Sequence, residues 1–92
     1  MQRTTKSAHE YDAQIAKGNE AAMLLGNQML NGILDKMEAD ATQKMIDSEK
    51  LEEREKAWHK VKAVREFKQE LKTISTTGAL ARQKKSALKG DE

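Results

Sequence analysis

No cysteine and no proline occur among the 92 residues, and tryptophan, tyrosine and phenylalanine appear once each. Without cysteine there is no disulfide and no thiol nucleophile, and with two histidines there is no His/Cys cluster for a structural metal. The usual supports of a small domain are therefore missing. Hydrophobic residues make up 37% of the chain against 35% charged ones, so the core the chain can build for itself is thin. Oligomerisation or docking on a partner is the remaining device. The longest uncharged run, Ala21 to Leu34, covers 14 residues and includes Gly, Asn and Gln, too short and too polar to span a bilayer. Arg3 and Lys6 are not followed by an apolar segment of signal-peptide type, so an intracellular protein is expected.

What is present is charge of both signs at helical spacing. The net charge is +2, with an acidic middle (about −3 over residues 19–48) and a basic end (about +2 over 77–92). No Gly-x-Ser-x-Gly elbow and no phosphate-cradling glycine pattern occurs. The carboxylates alternate with Lys and Arg, as in Asp40 with Lys44 and Glu52 with Lys56, which reads as solvated i, i+4 pairing. These features predict a protein that is not an enzyme and uses no cofactor or metal.

Residues 1–18 form a polar arm whose single apolar line is Ala8, Tyr11 and Ile15. Gly18-Asn19 reads as its helix stop. Three apolar contacts scarcely offset the entropy of ordering such an arm, which is expected to fold against a partner or stay disordered. Asn19 then reads as an N-cap with Glu20 in the first turn, opening a helix to about residue 45. Along it Met23, Leu30, Ile33, Leu34, Met37, Ala41 and Met45 fall at the spacing of one face. Gly26 and Gly32 lie inside it. Either they admit another backbone, or the helix breaks at Gly26-Asn27 and restarts at Gln28; the continuous or kinked helix is preferred.

Asp47-Ser48 is the best break in the second half, with Glu49, Glu52 and Glu53 crowding the turns that follow. The helix beginning there is expected to stop at Ser75-Thr76-Thr77-Gly78, with Gly78 left-handed. Two long helices joined by a tight turn make an antiparallel hairpin; one rod from Gln28 to Thr76 is the alternative, since neither Pro nor Gly lies between Gly32 and Gly78. A short third helix from about Ala79 to Leu88 completes an all-α chain of three parts: arm 1–18, hairpin core 19–78 and basic tail 79–92.

The second long helix carries Leu51, Arg54, Trp58, Val61, Val64, Phe67, Leu71 and Ile74, which advance by about 3.3 residues per step, below the 3.5 of a coiled-coil seam. An apolar line with that spacing drifts around the helix and one straight neighbour cannot cover it. Two neighbours are implied: one for the part around Leu51 and Trp58, another for Phe67, Leu71 and Ile74. The first long helix supplies only one of them, so a homo-oligomer or a partner protein is expected, with Leu51, Trp58, Val61, Val64, Phe67, Leu71 and Ile74 as its interface.

Other residues admit plainer roles. Glu55 and His59 share a face, but with no second pair they read as an exposed ion pair rather than half a metal site, and His9, Glu10 and Asp12 read the same way. The methionines are assigned to core filling, with an adaptable binding groove as the alternative. Trp58 is either a binding hot spot or the largest block of the core. Arg82, Lys84, Lys85 and Lys89 form a basic tail able to neutralise DNA phosphates, most effectively if an oligomer multiplies it, although no aromatic residues interleave with it for stacking.

Leu24-Leu25-Gly26-Asn27, then Leu30, Leu34 and Glu38, Arg54-Glu55 before Trp58, Arg65, Glu70-Leu71, and Gly78 before Ala81 follow one another in an order that resembles a group of small helical proteins of tailed bacteriophages and prophages. A tryptophan associated with that group between the helices is replaced here by Met45-Ile46. The resemblance implies a phage or prophage product in the virion or the bacterial cytoplasm. It would act as an oligomeric component or accessory of particle assembly or DNA packaging, or as an inhibitor bound to a host protein; a small DNA-binding regulator is a third reading, which rests on the basic tail.

Overall fold

The computed structural model describes residues 7–90, with side chains described for 7–88. Those residues form three helices and no strand: α1 (Ala8–Leu25), α2 (Gln28–Asp47) and α3 (Leu51–Gly90). The all-α expectation therefore holds. The helix boundaries differ at three places, and each difference has a local cause.

Ser7 opens α1. Its Oγ accepts from the Glu10 N–H at 3.3 Å and its carbonyl from the Tyr11 N–H at 3.1 Å, which satisfies two donors of the first turn. The helix does not stop at Gly18; it continues for two further turns. Tyr11, Gly18 and Ala21 are buried along one side, so the part of the expected arm that is described, residues 8–18, is helical and packed within the chain. Residues 1–6 lie outside the described part.

The interruption falls at Gly26-Asn27, the less favoured of the two readings. Asn27 is the N-cap of α2, its Oδ1 accepting from the Leu30 N–H at 2.9 Å, while the Asn31 side chain donates to the Leu25 carbonyl at 2.7 Å. Two asparagines thus serve both helix ends at this break, where a helix continuing through Gly26 would gain only poor propensity.

Ser48 closes α2, donating its N–H to the Lys44 carbonyl at 2.9 Å. The break at Asp47-Ser48 is where the capping residues place it, with the next helix starting at Leu51. The Ser48 hydroxyl accepts from the Lys50 N–H at 3.3 Å and donates to Glu53 at 2.7 Å, and Glu52 and Glu53 occupy the first turn of α3, on the side the helix dipole favours. No rod runs through this point.

α3 passes through Gly78 without stopping and reaches Gly90, and no glycine has a positive φ. Gly78 is needed for space instead. A Cβ built on Gly18 would lie 2.7 Å from the Gly78 Cα, and one on Gly78 would lie 2.7 Å from the Gly18 Cα and 2.9 Å from the Gln14 carbonyl oxygen. Two helix backbones meet here with no side chain between them.

The chain divides into two compact units. One joins α1, up to Leu24, with α3 from Leu71 onward; the other runs from Leu25 to Glu70. In the first, Tyr11, Ala21, Leu71 and Ala81 are the buried apolar side chains, with Asn19 accepting from Arg82 at 2.8 Å and Asp12 paired with Lys85. In the second they are Leu34, Ala41, Ala57, Val61 and Val64, flanked by Asp35–Lys68 at 2.7 Å and Glu38–Arg65 at 3.4 Å.

The least exposed line on α3 runs Ala57, Val61, Val64, Lys68, Leu71, Ser75, Gly78, in alternating steps of four and three, buried except at Lys68 and Ser75, which are half-buried. That is a coiled-coil period, not the drifting line expected from the large apolar residues. Val61, Val64 and Leu71 belong to it, Ile74 is half-buried beside it, and Leu51, Trp58 and Phe67 lie outside it, 69%, 49% and 46% exposed. The second neighbour of α3 is α1 of the same chain. The drift of the large apolar residues along α3 therefore does not by itself require a second copy.

Candidate interaction surface

The Leu25–Glu70 unit has two dissimilar flanks. On one, Leu30, Leu34 and Met37 from α2 face Lys60, Ala63, Val64 and Phe67 from α3 across an open, almost wholly apolar groove of about 260 Å³. The first turns of α2 widen this surface, since Ile33 and Met29 follow Leu30 and Met37 around the helix and are 51% and 76% exposed. Toward the α2–α3 turn the same flank becomes charged, with Asp40, Lys44, Glu53, Lys56 and Lys60 around a second depression of about 390 Å³. Here the Lys36 ammonium donates to Asp40 at 2.8 Å, and that hydrogen bond, together with the carboxylate's charge, raises the lysine pKa above its ordinary value. Both side chains are well exposed, so the pair adds little to stability.

On the other flank Trp58 borders a shallow recess with Met45, Arg54 and Glu55. Its ring meets His59 edge-on at 5.1 Å between centroids, and the Lys62 ammonium stands 5.2 Å from it. Arg54 donates across the turn to the Met45 carbonyl at 3.4 Å, which fixes one wall. Trp58 is not the large block of a core. It is a half-exposed ring held by its own helix.

Of the seven residues expected to form an interface, Val61, Val64 and Leu71 are used inside the chain, and Leu51, Trp58 and Phe67 remain at the surface. Phe67 lines the apolar groove, Trp58 lies on the opposite flank, and Leu51 starts α3. The seven therefore do not make one patch. Core filling does not describe the methionines either: Met23 and Met29 are 75% and 76% exposed, Met37 is at the groove, and only Met45 is half-buried. Leu30, Ile33 and Met37 lie on the apolar face expected of the first long helix, but Lys60 and Ala63 were not expected at the site. Their signal was the flank of the four-and-three pattern, which becomes visible only once alanines and Lys68 are counted as seam positions.

In the basic segment, Arg82 reaches Asn19 and Lys85 reaches Asp12, while Lys84 is exposed. The side chain of Lys89 lies outside those described. No group of three or more His, Asp or Glu side chains among the described residues is placed to hold a metal ion, and no described helix is long and apolar enough to cross a membrane. No protein-family model, curated protein or solved structure matches the chain.

Proposed function

We propose that this chain is a non-enzymatic interaction protein that works by assembling with copies of itself, with α2 and the first half of α3 as an antiparallel helical hairpin. The order of contacts supports the hairpin: Asp35 with Lys68, Glu38 with Arg65, and Met45 with Arg54 run in opposite directions along the two helices. One observation carries the assembly reading. The hairpin buries mostly Ala, Val and Leu and leaves Met29, Ile33, Met37 and Phe67 at the surface around an apolar groove. The resemblance to small helical phage and prophage proteins supplies the setting: a component or accessory of particle assembly or DNA packaging, in the virion or the bacterial cytoplasm. DNA contact would fall to Lys84 before Arg82 and Lys85, which already have partners on α1.

A second reading, a small inhibitor that captures a host protein, draws on exposed Met29 and on the Trp58 recess, both of which suit an adaptable contact. Light scattering at low and high salt separates the two. A discrete oligomer that persists in high salt is expected, because an apolar contact is not screened. A monomer at every concentration tested would overturn the assembly reading and favour capture of another protein.

A further inference from the structure

We propose that the copies meet through an antiparallel, two-fold apposition of α3 centred on Ala63, at the edge of the apolar groove. This rests on the self-assembly proposed above and specifies its contact. The residues are Lys56, His59, Lys60, Glu66, Phe67 and Glu70, all exposed on the upstream half of α3.

Residues seven apart on a helix share a line, so Lys56, Ala63 and Glu70 point the same way, with the small residue in the middle. Around that line the positions are mirror-spaced: Lys60 and Glu66 lie three residues either side of Ala63, and His59 and Phe67 four either side. At about 100° per residue, His59 and Glu66 fall on one side of the line and Lys60 and Phe67 on the other. An antiparallel two-fold keeps each side facing its own counterpart. Lys56 then meets Glu70 of the partner subunit at both ends of the contact, and His59 can donate to Glu66 of the partner subunit. Phe67 lies along the methylene stem of the partner subunit's Lys60, beside the groove, and Ala63 meets its own copy where the helices come closest.

Within one chain this arrangement is unfavourable. Lys56 and Lys60 are like charges at i, i+4, and so are Glu66 and Glu70. Lys60 and Glu70 have no opposite charge three or four residues away on either side, and none of the four forms an ion pair with another described residue. A second copy reversed in direction brings Lys56 of the partner subunit to Glu70, which has no cation three or four residues away in its own chain. That complementarity, contiguous with the apolar groove, is what selects a copy of this chain over an unrelated helix.

The absence of native cysteine makes the test clean, because Ala63→Cys introduces the only thiol. Facing alanines on the axis of closely packed helices are within reach of a disulfide. Mild oxidation of the full chain is expected to give a covalent dimer with Ala63→Cys and little with Lys62→Cys, which points elsewhere on α3. Lys56→Glu should weaken association by at least about tenfold through repulsion at both ends, and adding Glu70→Lys should restore it. If the unmodified protein is oligomeric yet Ala63→Cys cross-links no better than Lys62→Cys and Lys56→Glu changes nothing, this contact is wrong while assembly stands. If the unmodified protein is monomeric throughout, both fall together.

Discussion

A methyl group added at position 18 would lie 2.7 Å from the Gly78 Cα, closer than such atoms approach, and backbone on both sides leaves nothing flexible to yield. At position 32 the same group would meet nothing within 4 Å. The two glycines should respond oppositely to alanine. Gly18→Ala is expected to destabilise by about 1–3 kcal/mol, the usual range for an overpacked contact. Gly32→Ala should stabilise by about 1 kcal/mol, since only helix propensity changes there. Urea unfolding followed by circular dichroism reads both, and equal shifts of one sign would show that the Gly18–Gly78 contact does not govern the response. In the sequence Gly18 and Gly78 read as helix stops, and a close backbone approach is suggested at Gly26 and Gly32 instead. A helix end and a close helix crossing both call for glycine, and one sequence read residue by residue does not show which need a given glycine meets.

At the scale of the element, α1 carries the largest departure from its sequence reading. Three apolar residues on a polar stretch argued against order, but that count omitted Gly18 and Ala21, which bury backbone against α3 without contributing large side chains. Tyr11, 5% exposed, is the one large side chain of α1 that is buried. Tyr11→Ala should cost about 3 kcal/mol, within the range for truncating a buried aromatic. Amide exchange should then quicken across α1, and unchanged exchange there would show that Tyr11 is not what holds the helix. The break before α3 was legible because a polar side chain of fixed preference marks it: Ser48 accepts from the Lys50 N–H just ahead of the helix. The choice at Gly26 was not legible, because an asparagine cap and a tolerated mid-helix glycine look alike until the Asn31 side chain is placed on Leu25.

For the whole molecule, helical content was plain from spacing and charge alternation, whereas the pairing of helices was not. Large side chains on α3 drew the eye to a drifting line. The line that packs sets Val61, Val64 and Leu71 among alanine, serine, glycine and one lysine stem, and those last four carry little hydrophobic signal individually. The groove flank was hidden for the same reason. Trp58 and Phe67, which the drift of the large residues assigned to different neighbours, sit on opposite flanks of the helix.

One helix serving both units has a consequence for how the chain reaches its native state. Contacts of α2 with α3 close short loops, 9 residues between Met45 and Arg54 and 33 between Asp35 and Lys68. Those of α1 with α3 span 63 residues for Asn19 and Arg82 and 73 for Asp12 and Lys85. Closing the longer loops costs more chain entropy and brings no contact until the ends meet, so the Leu25–Glu70 unit should form first and the α1 contacts last. Pulse-labelled hydrogen exchange during refolding should find α2 and the start of α3 protected before α1, and simultaneous protection of all three would exclude that order. The final step of folding is then a docking of α1 on the downstream end of a helix whose upstream end is already held.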